Sequence, residues 1–473
     1  MLQVIGLKLG EQKKTNPESE EHLRIISLTN YLSKVFERFV IDWLMVYVGM
    51  KIDWGQYGGQ KGSSTSHYLV DLVNFVKYNQ DQKIPHAVIA VLVDYKKAFN
   101  KINHSIVITR LSEMGVPGWL LKIVAGFLTN RELIVRHKGK ASKRKHLPGG
   151  SPQGTLIGLF LFIILINDVG CGHPQDKVGK NITKSFKSRK PMANIHLKYI
   201  DDMLEAFAIK LKDVLSKIAN PVRPVVYHQR TEHELTDSNL CPAQNEINRI
   251  SNYCAENDME VNGEKTKVMI FNRCRKYDYL PKLNIDGQEL DVVEVQKLLG
   301  VIIQSNLKWH SNTAAMCSKG FARLWLLRRL KTLGATNEEL LDAYQKQVRS
   351  VMEWAVPVWE PGLTKRESYQ IERVQKTACA IILGSKYNTY KKALSALGLE
   401  TLCSRRKKLC LNFAKKAIKH PKFKTWFEYE TSNGYLIRNK NTLVPVTTRT
   451  KHFKSSPLPF LTDMLNDYFA KKK

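Results

Sequence analysis

An unbroken apolar run, Ala87 to Val93, ends directly in an acid, Asp94. Its β-branched content predicts a buried strand. Further on, Leu197 to Ile200 leads into Asp201-Asp202. Met203 to Ala208 is then apolar again apart from Glu205. This pattern predicts a hairpin with two acids at its tip. Around these strands, helical spacing predicts an element after an extended start at Leu23. It runs to Val48, with Ser33 as cap and Val35, Phe36, Phe39, Val40, Trp43 and Leu44 as its apolar face. A Gly/Ser-rich loop, 56–66, precedes a helix over 66–77. Asn103 opens a helix to Met114 that Gly115 closes, and Pro117 starts another through Leu128. Arg131 to Lys138 alternates like an edge strand.

A glycine-rich turn, Pro148 to Thr155, launches an apolar helix over 156–167. That stretch falls short of the roughly 20 residues a bilayer crossing takes, so it is expected to be a buried core helix. Residues 170–196 are polar and basic and are expected to be a surface insertion. A helix over 243–257, a strand over 268–271, a hairpin over 283–290 turning at Asp286-Gly287, and a strand over 297–303 follow. Beyond Trp309 the texture becomes helical, over 312–333, 337–354, 365–383 and a basic stretch 386–420. The tail 421–473 has little core-forming pattern. The mixture predicts an α+β fold, a sheet with helices on one face.

Charge narrows the function. The 473 residues carry 74 Lys+Arg against 43 Asp+Glu, a formal charge of +31. A small-metabolite enzyme rarely needs such a field, and each phosphate neutralised on a nucleic acid releases counterions. An anionic membrane is the competing partner, but no basic amphipathic helix dominates, so no membrane is expected. The 8 cysteines include no C-x-x-C pair, so a zinc site is unsupported. With no signal peptide in view, an intracellular protein is expected, in cytoplasm or nucleus.

If the two strand ends meet, Asp94, Asp201 and Asp202 crowd one spot. Unit charges about 4 Å apart repel by roughly 4 kcal/mol at an effective dielectric of 20, so such a site calls for cations. Two divalent metals are the common clamp for in-line phosphoryl transfer. An Asp-Asp pair alone sits more often at a solvated turn; the apolar flanks argue otherwise. In Leu147–Thr155, the glycines, Gly154 among them, allow backbone to approach a ligand, and the following helix start favours an anion. Gln153 offers an amide to a sugar or base edge. Phe99 is placed to pack under a sugar, or is simply a core aromatic. Lys265 is placed to neutralise a leaving pyrophosphate, or is one more surface cation.

In order along the chain, Val91–Phe99, Ser151-Pro-Gln-Gly154, Tyr199-Ile-Asp-Asp202, Asn262–Thr266 and Leu298-Leu-Gly-Val301 resemble the motif succession of reverse transcriptases, those of jockey-like non-LTR retrotransposons most of all. Arg24–Leu28 and Gln56–Gln60 resemble upstream motifs of the same group. The resemblance implies a right-hand polymerase, with fingers and a ferredoxin-like palm sheet over 23–305. A helical thumb over 306–400 and a basic C-terminal region over 401–473 would follow, and the polar residues 1–22 ahead of the fingers are expected to be frayed. It implies an RNA-directed DNA polymerase with two Mg²⁺ (or Mn²⁺) ions on Asp94, Asp201, Asp202 and the Tyr95 carbonyl. Phe99 falls at the sugar gate, Gln153, Gly154 and Lys265 at nucleotide contacts, and Arg24 more weakly so. The implied partners are an RNA template, a DNA primer and deoxynucleoside triphosphates. Asn100 departs from the family's Asp, and Ile25 from its Pro. The first motif falls close to Met1, so the chain is expected to be a fragment without an endonuclease module. Two rivals remain: a catalytically inactive nucleic-acid-binding remnant and an RNA-dependent RNA polymerase, which the bulk of Phe99 disfavours.

Overall fold

The computed structural model describes residues 2–7, 25–84, 86–96, 98–137, 140–147, 149–169, 192–210, 242–272, 282–432, 435–436 and 442–471. Its first five helices are α1 (Tyr31–Val48), α2 (Thr65–Gln80), α3 (His104–Glu113), α4 (Gly118–Leu128) and α5 (Leu156–Leu165). In chain order the strands up to residue 304 are β1 (Leu2–Leu7), β2 (Ile25–Leu28), β3 (His86–Val93), β4 (Arg131–His137), β5 (Lys140–Ala141), β6 (Lys145–Leu147), β7 (Asn194–Tyr199) and β8 (Asp202–Lys210). They continue as β9 (Lys267–Phe271), β10 (Asn284–Ile285), β11 (Gln288–Glu289), β12 (Asp291–Val292), β13 (Val295–Leu298) and β14 (Val301–Gln304).

The central sheet has the order β12-β9-β3-β8-β7. β3 lies in its middle, antiparallel to β8 on one side and β9 on the other. Val88 and Ala90 join one hydrophobic cluster; Ile89, Val91 and Val93 join another. Both faces are therefore covered, which is why β3 reads as an unbroken apolar run. α2 lies on the first face, its residues 67–80 all buried. α1, α3, α4, α5 and the helix Pro242–Glu256 pack on the second. The expectation of helices on one face is thus corrected: a strand apolar at every position needs partners on both. α5 is the buried core helix expected of its sequence.

Other departures have local causes. The cap of α1 is Asn30, whose Oδ1 accepts from the Leu32 amide at 2.8 Å, and Ser33 lies inside the helix. Only Glu37, Val40, Leu44 and Val48 of α1 are buried; Val35, Phe36, Phe39 and Trp43 stand exposed. Leu2–Leu7, expected to be frayed, pairs with β2 and β4 as β1. Asn194–His196, assigned to the end of a surface insertion, joins the expected Leu197–Tyr199 in strand β7, whereas 170–191 lies outside the described residues. The strand expected over 297–303 is a hairpin, β13–β14, because Leu299 (φ 47°) and Gly300 (φ 85°) make a left-handed two-residue turn.

The tail also differs from its pattern. Phe453, Leu458, Leu461 and Leu465 are fully buried. The Leu458 amide donates to Asn74 Oδ1 of α2 at 3.1 Å, and Asp81 accepts from the Arg449 and Thr450 amides at 2.8 Å. The segment closes over α2, and a few leucines between polar neighbours suffice for that. Among the described residues, no helix is long and apolar enough to cross a membrane.

Candidate active site

β3 and β8 pair as far as Val93↔Met203. One further step of that register sets Asp94 beside Asp202, and Asp201 occupies the adjoining turn between β7 and β8. The three acids therefore share one edge of the central sheet. Asp94 is partly buried; Asp201 and Asp202 are exposed. Among the described residues, no three His, Cys, Asp or Glu side chains are grouped as a ready metal cage. The backbone brings the strand ends together without focusing the three carboxylates on one point. As hard oxygen donors, these three suit a divalent cation such as Mg²⁺.

The hairpin turn is strained and held. Ile200 has φ 62°, a conformation a β-branched residue rarely adopts. Gln56 Oε1 accepts from the Ile200 amide at 3.3 Å and from the Gly58 amide at 3.0 Å. The Lys198 amide donates to the Gly55 carbonyl, and the Tyr57 amide to the Lys198 carbonyl, both at 2.8 Å. Gly58 must be glycine here, because a Cβ would fall 2.6 Å from Ile200 Cγ1 and 2.7 Å from its amide nitrogen.

The other motif segments are stapled to the acids and to each other by main-chain bonds. The Asp94 carbonyl accepts from the Asn262 amide at 2.8 Å, and the Asp94 amide donates to Thr266 Oγ1 at 3.2 Å. The exposed Lys265 lies in that Asn262–Thr266 turn, while Lys267 is engaged by Asp291. Tyr95 bridges Val261 and buries its ring, with its hydroxyl on Met203 Sδ at 3.0 Å. The Ser151 amide donates to the Phe99 carbonyl at 2.7 Å, and the Gln153 carbonyl accepts from the Ser27 amide at 2.8 Å. Phe99 rests half-buried against Phe162, ring centroids 5.2 Å apart. Gly154 is exposed with φ 101°. Arg24 lies outside the described residues.

Sequence reasoning missed three supports. The buried Arg131 guanidinium donates to the Gly149 and Gly150 carbonyls at 2.7 and 2.6 Å, fixing the glycine-rich loop. Glu37 corrects the expectation of an anion at the start of α5. Its own carboxylate already accepts from the Leu156 and Ile157 amides, at 2.6 and 3.1 Å. Replacing Glu37 with Ala should lower stability by about 1–2 kcal/mol, as loss of a helix cap does, and a denaturant midpoint unchanged from the parent would count against this role.

The third support is a buried ionic network directly behind the acids. His196 bonds Glu205 opposite it in the β7–β8 ladder and Asp53 at 3.1 Å. Lys198 Nζ sits 2.9 Å from Asp53 and donates to the Ile166 and Asn167 carbonyls at 2.8 Å. Burial disfavours a charge on His196, but Glu205 and then Asp53 outweigh it and raise its pKa to about 9. Burial likewise opposes charge on Asp53, yet Lys198 and His196 hold its carboxyl well below the usual range. Glu205 interrupting an otherwise apolar strand was the one sequence signal of this network.

On the other side of the sheet, a cavity of about 820 Å³ opens between β13–β14 and the helix His310–Thr332, lined by Lys297, Lys319, Arg323 and Trp354 among others. Trp354 Nε1 donates to the Leu299 carbonyl at 3.1 Å.

The profile of the family described as "Reverse transcriptase (RNA-dependent DNA polymerase)" matches residues 12–303. Two Drosophila melanogaster proteins are similar over most of the chain. The "Probable RNA-directed DNA polymerase from transposon BS" is 21% identical, covering 78% of this chain and 37% of its own length. The "Probable RNA-directed DNA polymerase from transposon X-element" is 22% identical, covering 81% and 38%. The "RNA-directed DNA polymerase from mobile element jockey" of the same species is 26% identical over 34% of this chain and 18% of its own. The chain thus spans little more than a third of the first two relatives. Among solved structures, apo telomerase from Candida tropicalis overlaps with a TM-score of 0.39 at 11% identity, covering 85% of this chain and 61% of that one. Since the family profile covers well over half of the 473 residues, this chain belongs to the reverse transcriptase family.

Proposed function

We propose that the chain is an RNA-directed DNA polymerase that extends a DNA primer on an RNA template, and that its acids at the β3–β8 edge hold the metal ions of the reaction. The observation that carries this reading is the register that sets Asp94 beside the Asp201-Asp202 turn. It is supported by the main-chain bonds that tie Asn262 to Asp94 and Ser151 to Phe99 in the segment that follows Asp94. Two Mg²⁺ ions, or Mn²⁺, would activate the primer hydroxyl and offset charge on the leaving pyrophosphate. Asp94 and Asp201 are the direct ligands in this reading, with Asp202 and the Tyr95 carbonyl completing the set. Lys265 meets the pyrophosphate charge, and Gln153 and Gly154 bound the incoming nucleotide. Phe99 excludes a 2′-hydroxyl by its bulk.

In the same reading, residues 23–305 are fingers and palm, with the central sheet as palm. Residues 306–400 are a helical thumb, and 401–473 a C-terminal region folded back on α2. The cationic cavity beside β13–β14 then faces the primer–template backbone, whose phosphates are gripped without reading sequence. Primer extension tests the function. With Mg²⁺, an RNA template and deoxynucleotides, the intact chain should lengthen a DNA primer. Ribonucleotides should be used at least about 100-fold less efficiently, the scale of discrimination by a steric pocket. No product beside a working control enzyme would overturn the reading, and equal use of ribonucleotides would favour an RNA-dependent RNA polymerase.

A further inference from the structure

The segment His420–Trp426 packs behind the loop that carries Gln56. Lys422 Nζ donates to the Gln56 carbonyl at 3.0 Å and lies 3.5 Å from the centre of the Tyr57 ring. Phe423 stacks on His67 at 3.9 Å between centroids, and His420 Nε2 is 3.1 Å from the Lys61 carbonyl. Tyr57 in turn donates its hydroxyl to the buried Asp71 of α2. Burial pushes the Asp71 carboxyl above the usual carboxylate range and draws the Lys422 ammonium below its own, while each charge, lying in the other's field, opposes its partner's shift. A cation placed so close to the core is costly, and a hydrophobe would serve packing alone. What the ammonium adds is a directed bond to the main chain of Gln56. The Gln56 side chain, on its other side, holds the Ile200 amide in the strained turn before Asp201.

We propose that Lys422 is a positioning residue for polymerisation: through Gln56 it fixes the Ile200–Asp201 turn at its left-handed Ile200 and so the placement of Asp201 and Asp202. The inference rests on the polymerase reading above for its catalytic consequence, but its structural half stands apart. The C-terminal region thereby acts as a brace for the acidic hairpin.

The test uses the full chain with Lys422→Met, which keeps the aliphatic stem over Tyr57 and removes the ammonium. Amide exchange at Tyr57, Lys198 and Ile200 should quicken roughly tenfold, while Ile89 to Val91 in β3 stay as slow as in the parent. In single-nucleotide addition, kcat should fall about tenfold, with KM for the nucleotide and affinity for template–primer within twofold, because misplacement of catalytic groups costs rate rather than binding. Gln56→Met should behave alike, and the double variant should be no worse than the more severe single, since the two act in one line. Lys422→Arg should restore the slow exchange. Unchanged exchange at the hairpin in Lys422→Met, or multiplied losses in the double variant, would overturn the proposal. If Lys422→Met does not fold, the comparison of Lys422→Arg with Gln56→Met decides, and fast hairpin exchange in a folded Lys422→Arg sinks it. A parent chain that makes no product removes the polymerase reading, whereas the exchange result still decides the brace.

Discussion

Asp201→Asn should abolish primer extension while leaving the protein folded and bound to RNA. The acid is exposed at the tip of the β7–β8 turn, so its loss should move stability by no more than about 0.5 kcal/mol. Incorporation should fall by roughly 10³-fold or more, since a metal-holding charge supports several kcal/mol of transition-state stabilisation. Affinity for template–primer should hold or rise slightly, because one negative charge leaves a surface facing phosphates. Asp94→Asn should behave the same way. A chain that binds RNA with a steep salt dependence, makes no DNA, and is indifferent to both substitutions would be the inactive remnant instead. A variant that retains a tenth of the parent rate would remove Asp201 from the metal set.

The sequence made the acids legible because buried strands and strand-end acids leave a local signature. Ala87–Val93 is apolar at every position, and the structure shows why: both faces of β3 are covered. The order of the motif segments was also readable; Asn262–Thr266 is stapled to Asp94 at the end of β3, Gln56–Gln60 to Lys198 of β7, and Ser151–Gly154 to Phe99 and to Ser27 of β2. What stayed hidden depends on long-range geometry. Nothing near Glu37 in sequence says that it caps a helix more than a hundred residues later. His196 and Asp53 look like ordinary polar residues until the sheet brings them together. The tail misled for a related reason. Its leucines pack on Asn74 and its neighbours in α2, so its periodicity is short and its partner remote. Main-chain bonds, such as Gln153 to Ser27, have no side-chain signature at all.

The network behind the hairpin should give the largest stability effect in the molecule. His196→Ala leaves the buried Glu205 without its imidazolium partner, and breaking a buried ion pair in this way costs about 3–5 kcal/mol. The melting temperature should drop by about 3–5 °C, as expected for a loss of this size in a chain of this length. The pH dependence carries the sharper signature. The folded-state pKa of His196 is raised from 6.5 to about 9, chiefly because Glu205 and Asp53 overcome burial. A raised pKa means that the folded state binds the proton more tightly than the unfolded chain does. The contribution is therefore complete below about pH 6.5 and is lost as pH rises through about 9. The gap in stability between the parent and His196→Ala should be widest at pH 6 and should narrow steadily toward pH 9.5. The depressed pKa of Asp53 acts in the opposite sense, weakening the fold only in strong acid, so it does not interfere in this window. A gap that stays constant from pH 6 to 9.5 would mean that His196 is neutral in the folded protein and that Glu205 is held by something other than charge. Because His196 and Glu205 bridge β7 and β8 behind Asp201 and Asp202, the same alkaline range should loosen the hairpin that carries the acids.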